Sequence, residues 1–150
     1  MKPSTLVLLI LGTLAVGCAP DPKSGTGFTL PDGSAERGQQ TFVQLQCHAC
    51  HTVSGLDLEP PDTRETQMIA LGGLTPNVKT YGDLVTSIIN PSHRFAFGYS
   101  DEEIKTPAGE SKMRLYNDEM TIAQLIDLVA FLQSRYEVEE YQPTPYAPYY

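Results

Sequence analysis

Apolar residues recur at helical spacing in three stretches of the chain. Between Ala35 and Leu45, Phe42, Val43 and Leu45 stand among Glu36, Arg37, Gln39, Gln40 and Gln44, and Ser34 is the kind of residue that caps a helix start. That spacing predicts a first helix. A second stretch, Tyr81 to Asn90, carries Leu84, Val85, Ile88 and Ile89 and is stopped by Pro91, which lacks the backbone N–H a helix interior needs. The third is the clearest: Ile122, Leu125, Ile126, Val129, Leu132 and Tyr136 fall on one helical face behind a Thr121-x-x-Gln124 capping box. No segment sustains the alternation of a strand. The pattern predicts an all-α fold of about three main helices with long loops, and 150 residues suit one domain. Loops of that length in a small domain need something large and apolar to pack on.

The N-terminus is read separately from the fold. Met1 and Lys2 precede the run Leu6 to Val16, which is apolar apart from Gly12 and Thr13 and is followed by Gly17 and Cys18. This run is shorter than the roughly 20 residues that span a bilayer. A basic start, a short apolar stretch and a small residue before the cut are the parts of an export signal. Ala15-Val16-Gly17-Cys18 resembles a bacterial lipobox, which implies removal of residues 1–17 and a lipid on Cys18 that anchors the chain to a bacterial membrane, facing the periplasm or the cell exterior. Residues 18–33, rich in Pro, Gly and Ser, then read as a flexible tether. A domain over 34–136 follows, and 137–150 form a Tyr- and Pro-rich extension, expected to be extended and to pack as an anchor.

Composition narrows the partners. A hydrophobic fraction of 41% excludes a wholly disordered chain, and a net charge of -8 removes nucleic acid, whose phosphates call for a surplus of Lys and Arg. The acidity favours partners with a basic docking face.

Three cysteines would leave one thiol over after a disulfide in an exported protein. The imbalance disappears if Cys18 takes lipid and the other two share a separate task. Cys47-His48-Ala49-Cys50-His51 reads C-x-x-C-H, the attachment motif of a c-type haem. Two intervening residues in a turn let both thiols reach the two vinyl groups of one porphyrin, and the adjacent His51 can supply an axial imidazole. A redox disulfide and a zinc site remain alternatives. The first lacks the preceding βαβ pattern, and the second would strain a tetrahedral site, because His48 and His51 lie so close to the thiols.

In their order around this motif, the helices resemble a class I monohaem cytochrome c over about Ala35 to Tyr136. Gly38 and Phe42 match that family's Gly-x-x-x-aromatic pair, which implies a close crossing with the C-terminal helix near Leu128 and Phe131. A glycine suits such a crossing because it has no side chain to hold two backbones apart. The stretch from Leu84 to Ser92, followed by Gly98-Tyr99, resembles a middle helix and loop of bacterial members.

The resemblance implies one covalent haem c, held by Cys47 and Cys50, with His51 on one side of the iron. The second axial ligand is expected to be Met113, chosen over Met68, Met120 and His93. It sits in a polar loop between Lys112 and Arg114, and near the position of the family's axial methionine. Met120 is expected to staple the cap against Leu125, Met68 to fill core space, and His48 to be exposed without a ligand role. The carbonyl of Pro61, or by position that of Pro60, is expected to accept from His51 Nδ1–H, and Arg94 and Tyr99 to meet the haem propionates. Iron with His and Met ligands has no open position, which suits carriage of single electrons between respiratory or dehydrogenase partners rather than catalysis. A haem enzyme with an open sixth site and a zinc-binding structural lipoprotein are the competing classes.

Overall fold

The computed structural model describes residues 25, 27–59, 61, 62 and 68–140. The signal segment, Cys18, half of the 18–33 tether and residues 141–150 of the extension lie outside the described residues.

Helix α1 spans Ala35–Gln44 and starts where expected, with the Ser34 hydroxyl accepting from the Arg37 N–H. Gln46, at φ 58, turns the chain into a single 3-10 turn, Cys47–Ala49, and thence into β1, His51–Val53. Strand β2, Ile69–Leu71, lies parallel to β1 with His51 opposite Ile69. Gly72 and Gly73, both at positive φ, swing the chain into β3, Gly73–Thr75. Helix α2, Tyr81–Ile89, is capped by the Thr80 hydroxyl and followed by a 3-10 turn at Pro91–His93. A short α3, Asp101–Ile104, precedes α4, Ile122–Gln133, whose Thr121–Gln124 capping box forms as expected. Strand β4, Tyr136–Val138, closes the described chain parallel to β3.

Two expectations need correction. The four strands were not foreseen, because three residues are too few to display alternation and each pair is parallel, drawing its halves from distant sequence. The last helix ends at Gln133 rather than reaching Tyr136, which instead pairs with Gly73. So β4 begins in the domain and runs into the segment read as the extension. Neither pair alters the helical character of the fold.

The core lies where α1 crosses α4 and α2 leans on α4. Phe42, Leu84, Val85, Ile88, Leu128, Val129, Phe131 and Leu132 are buried there, with Val53 beneath them. The rings of Phe42 and Phe131 meet at 5.6 Å, tilted by 58°. Gly38 permits the crossing: a Cβ on it would stand 2.0 Å from the Asp127 carbonyl oxygen and 2.6 Å from Phe131 Cβ. Asp127, itself buried, ties the crossing down. It accepts two bonds from the Arg37 guanidinium, at 2.7 and 2.9 Å, and one from the Ser34 N–H at 2.7 Å. The Phe131 contact agrees with the expected partner, and Asp127 adds a polar clamp that hydrophobic patterning does not reveal.

Candidate functional site

The left-handed Gln46 and the turn after it determine how the motif side chains are displayed. Ala49 N–H and Cys50 N–H bond back to the Gln46 and Cys47 carbonyls at 2.9 and 3.2 Å, winding Cys47 to Cys50 into a tight coil. Cys47 is half-buried and packs on the core, while Cys50 is exposed on the outer side of the coil. Burial pushes the Cys47 thiol up to about 11, so it is protonated at neutral pH.

His51 enters β1 with its ring against the core. Its Nδ1 lies 3.3 Å from the Ile69 carbonyl oxygen. A carbonyl can only accept, so Nδ1 carries the ring proton and Nε2 keeps its lone pair for a metal. Burial lowers the His51 pKa, opposed in part by the Ile69 carbonyl, so the imidazole is held in the neutral form that binds metals. Pro61 is half-buried and does not border the cavity described next. The carbonyl facing Nδ1 is that of Ile69, because β1 and β2 pair with His51 opposite Ile69.

Beside the ring opens an apolar cavity that reaches solvent at one side. Its walls are Phe42 of α1 and Leu45 at its C-cap, Leu84 and Ile88 of α2, Leu128 and Leu132 of α4, Leu71 of β2 and Tyr136 of β4. Cys47, His51, Met113, Tyr116 and Met120 complete the lining. One edge is polar, with Lys79, Asp83, Ser87 and Arg94. There Arg94 Nη2 donates to Asp83 Oδ1 at 2.8 Å. The Thr80 hydroxyl, and then Arg94, hold the Asp83 carboxyl below the usual carboxylate range.

Of the residues singled out in the sequence, Cys47, His51, Met113 and Arg94 meet on this cavity, and Cys50 sits on the adjoining coil. His93 is exposed and Met68 half-buried, and neither borders it. Met120 both packs on the core and lines the cavity, so its structural role places it near the site as well. Tyr99 does not border the cavity, and its hydroxyl accepts from the Ala70 N–H at 3.1 Å. His48 is half-buried rather than exposed, and its Nδ1 is shielded without a hydrogen-bond partner among the described residues. Ile69, Lys79, Asp83 and Tyr116 were missed. The first acts through its backbone, which no residue type betrays, and the others look like ordinary surface or loop positions in sequence.

The donor set suits a haem. An apolar cavity offers one imidazole and thioethers to an iron, with a cysteine thiol beside them and cations at one edge for carboxylates. Cys47 and Cys50 are not joined to each other. Among the described residues no three His, Cys, Asp or Glu side chains gather as a metal site, so four-donor zinc would have to be completed from outside them.

Residues 35–135 match the family model for cytochrome c, and the chain belongs to that family. Its domains carry covalently bound haem c, typically one per domain, and serve haem-based electron transfer. Neither a curated protein nor a solved structure matches the chain. No helix among the described residues is long and apolar enough to cross a membrane.

Proposed function

We propose that this chain is a lipid-anchored monohaem cytochrome, exported to the outer side of a bacterial membrane, that passes single electrons between respiratory or dehydrogenase partners. The observation carrying the reading is that His51 and Met113, from opposite ends of the domain, border one apolar cavity beside Cys47. Bound haem supplies the redox chemistry, its iron cycling between the ferric and ferrous states. Cys47 and Cys50 would hold the porphyrin by thioether links, and His51 would supply the imidazole. Met113 would offer its thioether as the second protein donor to the iron, which would favour the ferrous state and leave no room for substrate. Arg94 and Lys79, at the polar edge, would pair with the haem carboxylates. The packed α1–α4 crossing keeps the ligands from moving as the charge changes, which lowers the reorganisation that accompanies transfer.

Lipid on Cys18 and the 18–33 tether let the domain reach its partners from the membrane. The net charge of -8 favours a basic docking face on them.

Optical spectra of the protein made in a host with c-type haem maturation test the reading. The expected result is extraction-resistant haem with a far-red methionine-to-iron band that Met113→Ala abolishes and Met120→Ala leaves in place. Loss of the band in Met120→Ala instead would move the ligand to the other thioether on the cavity. Haem without the band would favour an open sixth site, as in an enzyme, and absence of haem would sink the proposal.

A further inference from the structure

We propose that Tyr99 tunes the electron-donating power of His51 through a single peptide group, as a positioning residue that touches neither iron nor porphyrin. The proposal rests on the reading of His51 as the imidazole ligand. His51 Nδ1 lies 3.3 Å from the Ile69 carbonyl oxygen, and the N–H of that same amide, which belongs to Ala70, donates to Tyr99 Oη at 3.1 Å. Two hydrogen bonds therefore act in series on one amide.

Their coupling follows from amide resonance. An acceptor on the N–H draws electron density from nitrogen toward the carbonyl oxygen, which becomes the stronger acceptor for Nδ1–H. A stronger pull on that proton gives the ring more imidazolate character and makes it a better donor to a metal at Nε2. A better donor stabilises the ferric over the ferrous state. Tyr99 therefore holds the reduction potential down.

The surroundings make the relay stiff. The Ile69 N–H is fixed by the Cys50 carbonyl at 2.8 Å, and the Leu71 carbonyl by the Ser54 N–H at 2.8 Å, so the amide between them is held from both sides against β1. Gly98, at φ +89, makes the turn that delivers Tyr99 to it. The His51 ring is mostly shielded from water, so solvent screens its bond to the carbonyl little.

Two variants remove the same hydrogen bond from opposite ends. Tyr99→Phe keeps the ring and loses the acceptor. Ala70→Pro, at an exposed strand position, removes the donor. Redox titration of the holoprotein should show each raising the potential, with the oxidised-to-reduced ratio at fixed potential falling roughly two- to fourfold, or ~18–35 mV at about 59 mV per decade. The double variant should shift no further than either single one, because both cut one link. In the ferrous protein, the Nδ1–H proton resonance of His51 should move upfield and exchange faster, while the methionine-to-iron band stays. A potential and a resonance that both stay put, with His51 still showing the ring-current shifts of a ligand, would overturn the relay alone, as would additive shifts in the double variant. A wild-type spectrum in which His51 lacks those ligand shifts would overturn the ligand reading and the relay with it.

Discussion

Replacing Gly38 with alanine adds one methyl group where α1 crosses α4. That carbon would stand 2.0 Å from the Asp127 carbonyl oxygen, 2.6 Å from the Asp127 carbonyl carbon and 2.6 Å from Phe131 Cβ. The closest approach is about 1.4 Å short of ordinary van der Waals contact. Two of the three obstacles are backbone atoms, so no rotamer change relieves the clash and the helices must part. Parting loosens the Phe42–Phe131 ring contact and the bonds from Arg37 and Ser34 to Asp127. Overpacking of this kind costs about 1–3 kcal/mol, and an obstacle of main chain puts it at the upper end. Against this, alanine is better than glycine inside a helix by roughly 1 kcal/mol. The net expectation is a loss of about 2 kcal/mol, or ~8–15 °C in Tm for a domain of this size. Thermal unfolding of the haem-loaded domain, followed by far-ultraviolet circular dichroism, measures it. Gly82→Ala in α2 is the control, since its Cβ would meet nothing closer than Thr80 Oγ1 at 3.7 Å, and propensity should raise Tm slightly. A Gly38→Ala protein as stable as wild type, beside a Gly82→Ala control that behaves, would refute the close crossing.

Two further predictions concern charge. The Arg37 guanidinium, and then the Ser34 N–H, hold the Asp127 carboxyl below the usual carboxylate range. A carboxylate depressed by folding stabilises fully above its unfolded value, about pH 4, and loses that contribution as pH falls through its folded value. Asp127→Asn should therefore lower Tm at pH 7, with the gap to wild type narrowing below roughly pH 4, and a gap that stays constant down to acid unfolding would count against the clamp. Electron exchange with a basic redox partner, followed by stopped flow, should slow as salt rises, and a rate indifferent to ionic strength would dismiss electrostatic docking.

What was legible in the sequence follows from how local each interaction is. The start of α1 at Ser34 and of α4 at Thr121 could be read because a cap is made with the N–H three residues on. Gly38 and Phe42 were readable as a pair because one helical turn puts them on the same face, and the C-x-x-C-H turn because its chemistry lies within five residues. The parallel pairs β1–β2 and β3–β4 join segments far apart, and three-residue strands leave no period to find. This explains the error at His51. A proline is a residue type that the sequence displays and so points to Pro61 as the acceptor for Nδ1–H, yet a carbonyl belongs to every residue. What selects the carbonyl is strand register, which sets His51 opposite Ile69 and leaves the side chain at 69 nearly irrelevant to the bond. Tyr99 misled for the same reason: a tyrosine in the loop after the middle helix suggested a haem contact, whereas its hydroxyl meets the Ala70 N–H, on the amide that faces the imidazole. Side-chain donors such as Cys47, His51 and Met113 announce themselves by type and spacing. The groups that set their strength are peptide units, and pairing between distant segments puts those in place.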